Sequence, residues 1–246
     1  MCTVTVIQLE GGGFRLVTNR DESPGRPAAT LPVWHEGVGG KTRAIWPTDG
    51  LAGGTWVAAG EHGLALTLLN GNLGTRAILP DPTRRQSRGI LIPRLIGSPD
   101  ALTAHKALSG FELDRFEPFR LVAADATAGL RIVESFWDGC SLQTTDLGPG
   151  PACFASSGLG DEQVQPRIPL FAELVVAAGA TPAAQDRFHR HQWPDRPEIS
   201  VLMERAEART VSITRVEVRP RTSSPGKRGG FTVTMASEPV GGSSRR

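Results

Sequence analysis

The sequence predicts an α+β fold in which helices cover antiparallel sheets, and three observations predict it. Gly and Pro supply 29 and 19 of the 246 residues, so the chain turns too often to be a helical bundle. Short runs rich in β-branched residues recur at the front, middle and end of the chain. Helical stretches come in pairs between those strand blocks, the order expected when helices are layered onto antiparallel sheets. A hydrophobic content of 39% against 21% charged residues is globular and excludes wholesale disorder. Sheet-rich domains commonly reach roughly 200–250 residues, so one domain over 1–236 is expected.

The elements follow in order. Thr3 to Leu9 and Phe14 to Thr18 read as strands joined by the turn Glu10-Gly11-Gly12-Gly13. Residues 23–53, rich in Pro and Gly, read as a long surface loop. Thr55 to Ala59 and Leu64 to Leu69 form a second hairpin. Arg84 to Ile96 and Pro99 to Leu108 read as helices, the latter with Ser98 as N-cap and Pro99 at its first position. Phe119 to Ala124, Leu130 to Trp137 and Ala152 to Ser156 return to strand. Ile168 to Ala178 is an apolar helix and Pro182 to His189 a shorter one. Val201 to Met203, Thr210 to Val218 and Phe231 to Met235 close the chain as strands. Residues 237–246 contain one isolated Val and are expected to be a disordered tail.

Charge narrows the partners. The net charge of +2 hides a basic end, with Arg215, Arg219, Arg221, Lys227, Arg228, Arg245 and Arg246 against Glu217 and Glu238. Diluted by Gly, Ser and Pro and without interleaved aromatics, these charges read as a solvated end, so no nucleic-acid partner is expected. No apolar run approaches the roughly 18 residues of a membrane span. The N-terminus has no basic signal region, and three widely spaced cysteines fit a reducing compartment, so a cytoplasmic location is expected.

The first hairpin carries the chemistry. A turn centred on Gly11-Gly12 places Cys2 opposite Asp21 and Val4 opposite Asn19, all on one face. Removal of Met1 would give Cys2 a free α-amine whose usual pKa of roughly 7.7–8.0 suits it as base to its own thiol. Read from the residues alone, Cys2 is either such a nucleophile or a small apolar strand residue with Asp21 as a loop cap. Trp34, Trp46 and Trp56 bracket the long loop and either line a pocket over Cys2 or anchor that loop. His189 and His191 diverge on a strand or helix, and no acid or Cys stands at ligand spacing, so no metal site is expected.

Met1-Cys2 with Thr18-Asn19-Arg20-Asp21-Glu22 resembles the signature of the NRDE family, also called Transport and Golgi Organisation protein 2-like. Gly53-Gly54-Thr55-Trp56, the strand ending Leu69-Asn70, Ala155-Ser156-Ser157-Gly158-Leu159 and Ala208-Arg209-Thr210-Val211-Ser212 resemble its later blocks in the same order. That family in turn resembles N-terminal-nucleophile hydrolases of the penicillin V acylase and bile-salt hydrolase type. The resemblance implies a four-layer αββα sandwich of antiparallel sheets. It implies Cys2 as nucleophile, Asp21 as partner to thiol and amine, Asn70 as oxyanion donor and Arg209 as support for the thiolate. Where those acylases place an Arg three residues before the Asp, this chain has Thr18, with Arg20 beside Asp21 instead. Where their second polar site residue is Asn, it offers Ser156. Asn19, Arg20, Trp56 and Ser156 are the expected substrate contacts.

Two functions follow. One is a hydrolase that cleaves an amide, ester or thioester of a small acyl substrate through a Cys2 acyl-enzyme, without a cofactor. The other, which the family resemblance allows, is a non-catalytic carrier or chaperone for haem, an acyl lipid or acyl-CoA in the same pocket, although the chain has no CxxCH motif.

Overall fold

The computed structural model describes residues 2–40, 42–74, 78–221 and 230–241. Its strands form two antiparallel sheets. The first has five strands in the order β10 (Ala152–Ser156), β1 (Cys2–Gln8), β2 (Phe14–Glu22), β11 (Arg209–Pro220) and β12 (Phe231–Pro239). The second runs in sequence order from β3 to β9. Its strands are β3 (Val33–Val38), β4 (Thr42–Trp46), β5 (Val57–Gly60), β6 (Leu64–Asn70), β7 (Phe119–Asp125), β8 (Arg131–Trp137) and β9 (Leu142–Gly148). Helices α1 (Leu91–Leu95) and α2 (Ala101–Leu108) cover the second sheet, and α3 (Arg167–Phe171) and α4 (Pro182–His189) cover the first.

Strand alternation explains the layers. Cys2, Val4 and Val6 of β1 point between the sheets and pack with Phe14, Leu16, Leu69, Val122 and Val216. The intervening Ile7 packs on Leu170, Phe171, Val175 and Phe188 of the α3–α4 layer. Across the second sheet, Leu64, Leu66 and Leu121 pack on Leu91, Ile92, Leu95 and Leu108. Three apolar strata separate four structural layers, which is the expected αββα sandwich. Each large side chain buried there contributes roughly 1.5–3 kcal/mol.

Several expected elements differ. The 23–53 segment holds the β3–β4 hairpin, whose strands pair Val33 with Trp46 and turn at Gly39-Gly40, both with positive φ. Within it, Trp46 stacks on His35 and packs against the second sheet's helices, and Trp34 lies against Arg43 on the outside. Neither covers Cys2. Strand β9 carries no alternating apolar pattern because, as an edge strand, its side chains are mostly exposed. Residues 84–90 are not α-helical up to Leu91, since Gly89 passes directly over Gly54 and its carbonyl accepts from Thr55 N–H at 3.1 Å. A side chain at Gly54 would come within 2.6 Å of the Gly89 backbone. Asp100, not Ser98, caps α2 through Thr103 N–H at 2.7 Å. The apolar helix after Arg167 continues as a π-helical turn over Ala172–Val176. Val201–Met203 forms no strand. Instead the Val201 carbonyl accepts from Asn19, and Met203 N–H donates to Thr210 Oγ1. Strand β12 runs past Met235 to Pro239, opposite Ser212, so the expected boundary at 236 falls inside it. Residues 242–246 lie outside the described residues.

Polar side chains fasten α4 to the first sheet. His189 is fully buried between Thr5 Oγ1 (2.7 Å) and Asn19 Oδ1 (2.7 Å). Arg15 reaches Gln185 and Asp186, both at 2.9 Å. Burial, reinforced by the nearby Arg15, pulls the His189 pKa down to about 3. An unfolded His takes up a proton near pH 6.5, so acid favours the unfolded chain as pH falls from about 6.5 towards about 3. We expect the melting temperature to drop over that window, and the drop to be smaller in His189→Gln. Thermal melts between pH 7.5 and 4.5 check this.

Candidate active site

Cys2 opens β1 at one end of the sandwich, with Ser156 of β10 and Arg20 of β2 as its cross-strand neighbours. The register is one residue from that expected. The loop of 9–13 is centred on Gly11, closed by Leu9 N–H to the Gly13 carbonyl at 3.2 Å, and pairs Gln8 with Phe14. Gly13 is held against β11 so closely that a Cβ would lie 2.0 Å from the Val218 carbonyl oxygen. A one-residue slip exchanges the two faces of a strand. Arg20, not Asp21, therefore stands opposite Cys2. Asn19 stands opposite Thr3 and points into the α3–α4 layer, where its Nδ2 donates to the His189 and Val201 carbonyls. Asn19 is thus a buried tie between layers and not a substrate contact.

A cavity of about 420 Å³ opens beside Cys2. Arg20, Asp21, Trp56 and Asn70 line it, together with Arg26, Asp49, Arg88 and Arg205, which the motifs did not single out. The Cys2 thiol is pushed up by burial and by the neighbouring Asp21, while the Arg20 charge and the Asp21 backbone N–H at the sulfur oppose that rise. The Asp21 carboxyl is likewise raised by burial, and Arg167 opposes the rise. Asp21 Oδ1 accepts from Thr210 Oγ1 at 2.6 Å. Arg167 lies on the helix side of β1, where it donates to Thr3 Oγ1 (2.6 Å) and to the Ile199 and Ser200 carbonyls (3.0 and 2.7 Å). Nothing in its local sequence marks it, because its partners come from three distant segments.

Arg20 is held rigidly. Its guanidinium lies 4.7 Å from the Trp56 ring centroid and donates to Asp49 Oδ2 at 2.5 Å. Asp49 also accepts from Arg26 and from the Leu51 and Ala52 N–H groups. Burial raises the Asp49 pKa, but the hydrogen bonds from Arg26 and those two N–H groups outweigh it and hold the carboxyl at about 2. In the turn between Asp49 and Trp56, Gly53 takes a positive φ and Gly54 packs on the Gly89 backbone, where a side chain has no room. The Trp56 indole N–H is buried and has no hydrogen-bond partner among the described residues.

Ser156 does not line the cavity. Its hydroxyl donates to the Asn70 carbonyl at 2.6 Å and accepts from Asn72 Nδ2 at 2.9 Å, so it ties β10 to the end of β6 and fixes Asn70. Arg209 also departs from expectation. The pairing of β11 with β2 shifts between Thr210 and Ser212, so Arg209 stands opposite Glu22 and leaves the face of Ile213, which stands opposite Asn19 on the helix side. It lines a neighbouring cavity instead. No group of three or more His, Cys, Asp and Glu side chains suited to a metal ion occurs among the described residues. Among the described residues no histidine lines the Cys2 cavity, and Cys2 is the one soft ligand there for haem iron. No helix is long and apolar enough to cross a membrane among the described residues.

Solved structures with this architecture share little sequence with the chain. A Caenorhabditis elegans ortholog of N-acylethanolamine-hydrolyzing acid amidase superposes with a TM-score of 0.58 at 13% identity, over 87% of this chain and 92% of its own. Penicillin V acylase from Agrobacterium tumefaciens gives 0.51 at 14% identity, over 89% and 82%. The C2A mutant of conjugated bile acid hydrolase from Clostridium perfringens gives 0.52 at 11%, over 98% and 97%. These likenesses establish an N-terminal-nucleophile hydrolase fold. No curated protein sequence matches. The model of the Transport and Golgi organisation 2 family matches residues 1–166, well over half of the chain, and this protein belongs to that family.

Proposed function

We propose that the protein is a cysteine hydrolase that cleaves an amide, ester or thioester through an acyl-enzyme on Cys2. The observation that carries this reading is the position of Cys2. It is the first residue of β1 and lines a cavity, with Arg20 opposite, the Asp21 N–H at its sulfur and Asn70 on the wall. The fold is that of enzymes named as amidases and acylases.

Removal of Met1 would free the Cys2 α-amine to take the thiol proton as sulfur attacks the acyl carbonyl. Asn70 and the unpartnered Trp56 N–H are the donors available to the oxyanion. Collapse of the tetrahedral intermediate breaks the bond to the leaving group, which takes the proton from the ammonium. Water, deprotonated by the same amine, then attacks the thioester and releases the acid and the free thiol. Asp21 orients the amine, and Arg20, fixed by Asp49 and Trp56, favours the thiolate.

Binding without turnover is the second reading, with an acyl chain or haem held in the same cavity. It is favoured by the buried thiol, whose pKa is raised. Intact mass spectrometry with an activated acyl ester separates the two. We expect a chain lacking Met1 that gains one acyl group on the wild type and none on Cys2→Ala. Retained Met1 on a functional protein, or acylation no faster at Cys2 than at Cys140 and Cys153, would leave the carrier.

A further inference from the structure

A second cavity, of about 390 Å³, lies on the other side of the Arg20–Glu22–Ser23–Arg26 wall from Cys2. That volume is within the range of roughly 300–1,000 Å³ typical of small-molecule sites. Much of its lining is apolar, from Pro24, Pro27, Ala29, Leu31, Val211 and Val240. Into this lining projects Arg209. Its guanidinium makes no hydrogen bond or ion pair with any described residue, and its Nε is buried without a partner. Glu22, directly across the strands from Arg209, is already engaged. Its carboxylate faces Arg20 and Arg26, each at 3.5 Å, and accepts from Ser23 N–H at 3.1 Å.

A half-buried guanidinium with no counter-charge is costly in a folded protein, because burial strips its water and nothing replaces it. Every other arginine around this cavity has a carboxylate partner, Arg20 and Arg26 both sharing Asp49. The bulge after Thr210 sets Arg209 opposite Glu22, where it lines this cavity. A planar fork of donors at the head of an apolar slot is the arrangement that recognises an oxyanion carried on a hydrocarbon body.

We propose that this cavity binds an amphiphilic organic anion, a carboxylate or phosphate monoester on a compact apolar body, with Arg209 holding the oxyanion. The site is separate from acyl transfer at Cys2, so its test reads binding alone. Titration calorimetry of the full chain with octanoate, octyl phosphate and octanol supplies the anions and a neutral control. At least one anion is expected to bind at least tenfold more tightly than octanol. Octanoate alone would identify a carboxylate site, octyl phosphate alone a phosphate-ester site, and both an anion site of either kind.

Arg209→Met should lose at least tenfold in anion affinity, whereas Arg209→Lys keeps part of it. Because Arg209→Met removes a charge that lacks a partner, its melting temperature without ligand should equal or exceed that of the wild type. Should that variant not fold, the Arg209 Nε–H resonance, assigned by its loss in Arg209→Lys, still reports on the wild type by shifting on anion binding. Octanol binding as tightly as the anions, no binding of either anion, or anion affinity unchanged in Arg209→Met would each overturn the proposal.

Discussion

Replacing Cys2 with alanine is expected to abolish acyl transfer, a loss on the order of 10⁶-fold if Cys2 acts as other nucleophiles do, while the fold persists. The two effects separate because of where the side chain sits. Cys2 is buried at the mouth of the inter-sheet core, so its truncation removes one sulfur from an apolar contact and leaves the β1–β2 and β1–β10 pairing untouched. The backbone amine remains, as do Asn70 and Arg20, so the variant should still bind substrate. The pH dependence of alkylation provides a second reading. Burial raises the Cys2 thiol, so with Met1 in place alkylation should be slow at neutral pH and climb only in alkaline solution. Loss of Met1 should move that climb towards neutrality. Stopped-flow alkylation of the two forms checks it, and identical profiles would count against the amine as base.

Arg167→Met is expected to give the largest loss of stability, about 3–5 kcal/mol, as for removal of one partner from a buried ion pair. Arg167 is 1% exposed, and its guanidinium satisfies Thr3 Oγ1 and two carbonyls and opposes the charge of Asp21. A methionine fills the volume but leaves those acceptors bare and Asp21 without its largest stabilising charge. The sign of the pH effect follows. The Asp21 pKa is already raised by burial, and losing Arg167 raises it further, so the folded variant resists ionisation of Asp21 more than the unfolded chain does. The stability deficit should grow as pH rises through the raised Asp21 pKa of the wild type and shrink below it. Denaturant unfolding of both proteins at pH 4.5 and 7.5 measures the difference. A deficit independent of pH would show that Arg167 serves only the carbonyls.

Local pattern carried most of the architecture. The alternation of Cys2, Val4 and Val6 against Thr3, Thr5 and Ile7 is a period-two property of one strand, so the two faces of β1 are readable without knowing its neighbours. Pro182 to His189 is equally local, since Thr181 accepts from Ala184 N–H as N-cap and Pro182 stands at the first position. The cavity membership of Cys2, Arg20, Asp21, Trp56 and Asn70 came from motifs whose spacing reflects strand ends gathered at one end of a sandwich. What local pattern missed is equally specific. Strand β9 has no apolar face, and β3–β4 is a hairpin at the sheet's edge with half its residues in contact with solvent, so neither leaves a hydrophobic period.

By itself the sequence determined the two faces of β1, that β1 and β2 pair as a hairpin, and that Cys2, Arg20, Asp21, Trp56 and Asn70 belong together. Only the tertiary structure decided which of them meet. The hairpin register turned on one residue, set when Gly13 packs against the Val218 carbonyl of a strand two hundred residues away in sequence. That slip sent Asn19 to the helices and brought Arg20 opposite Cys2. The bulge at Thr210–Ser212 turned Arg209 into a cavity of its own, and Arg167 reached Asp21 from a helix with no motif. Alternation follows from the covalent geometry of one strand. Register and long-range charge pairing depend on how closely separate backbones can approach, which is settled only when the layers pack.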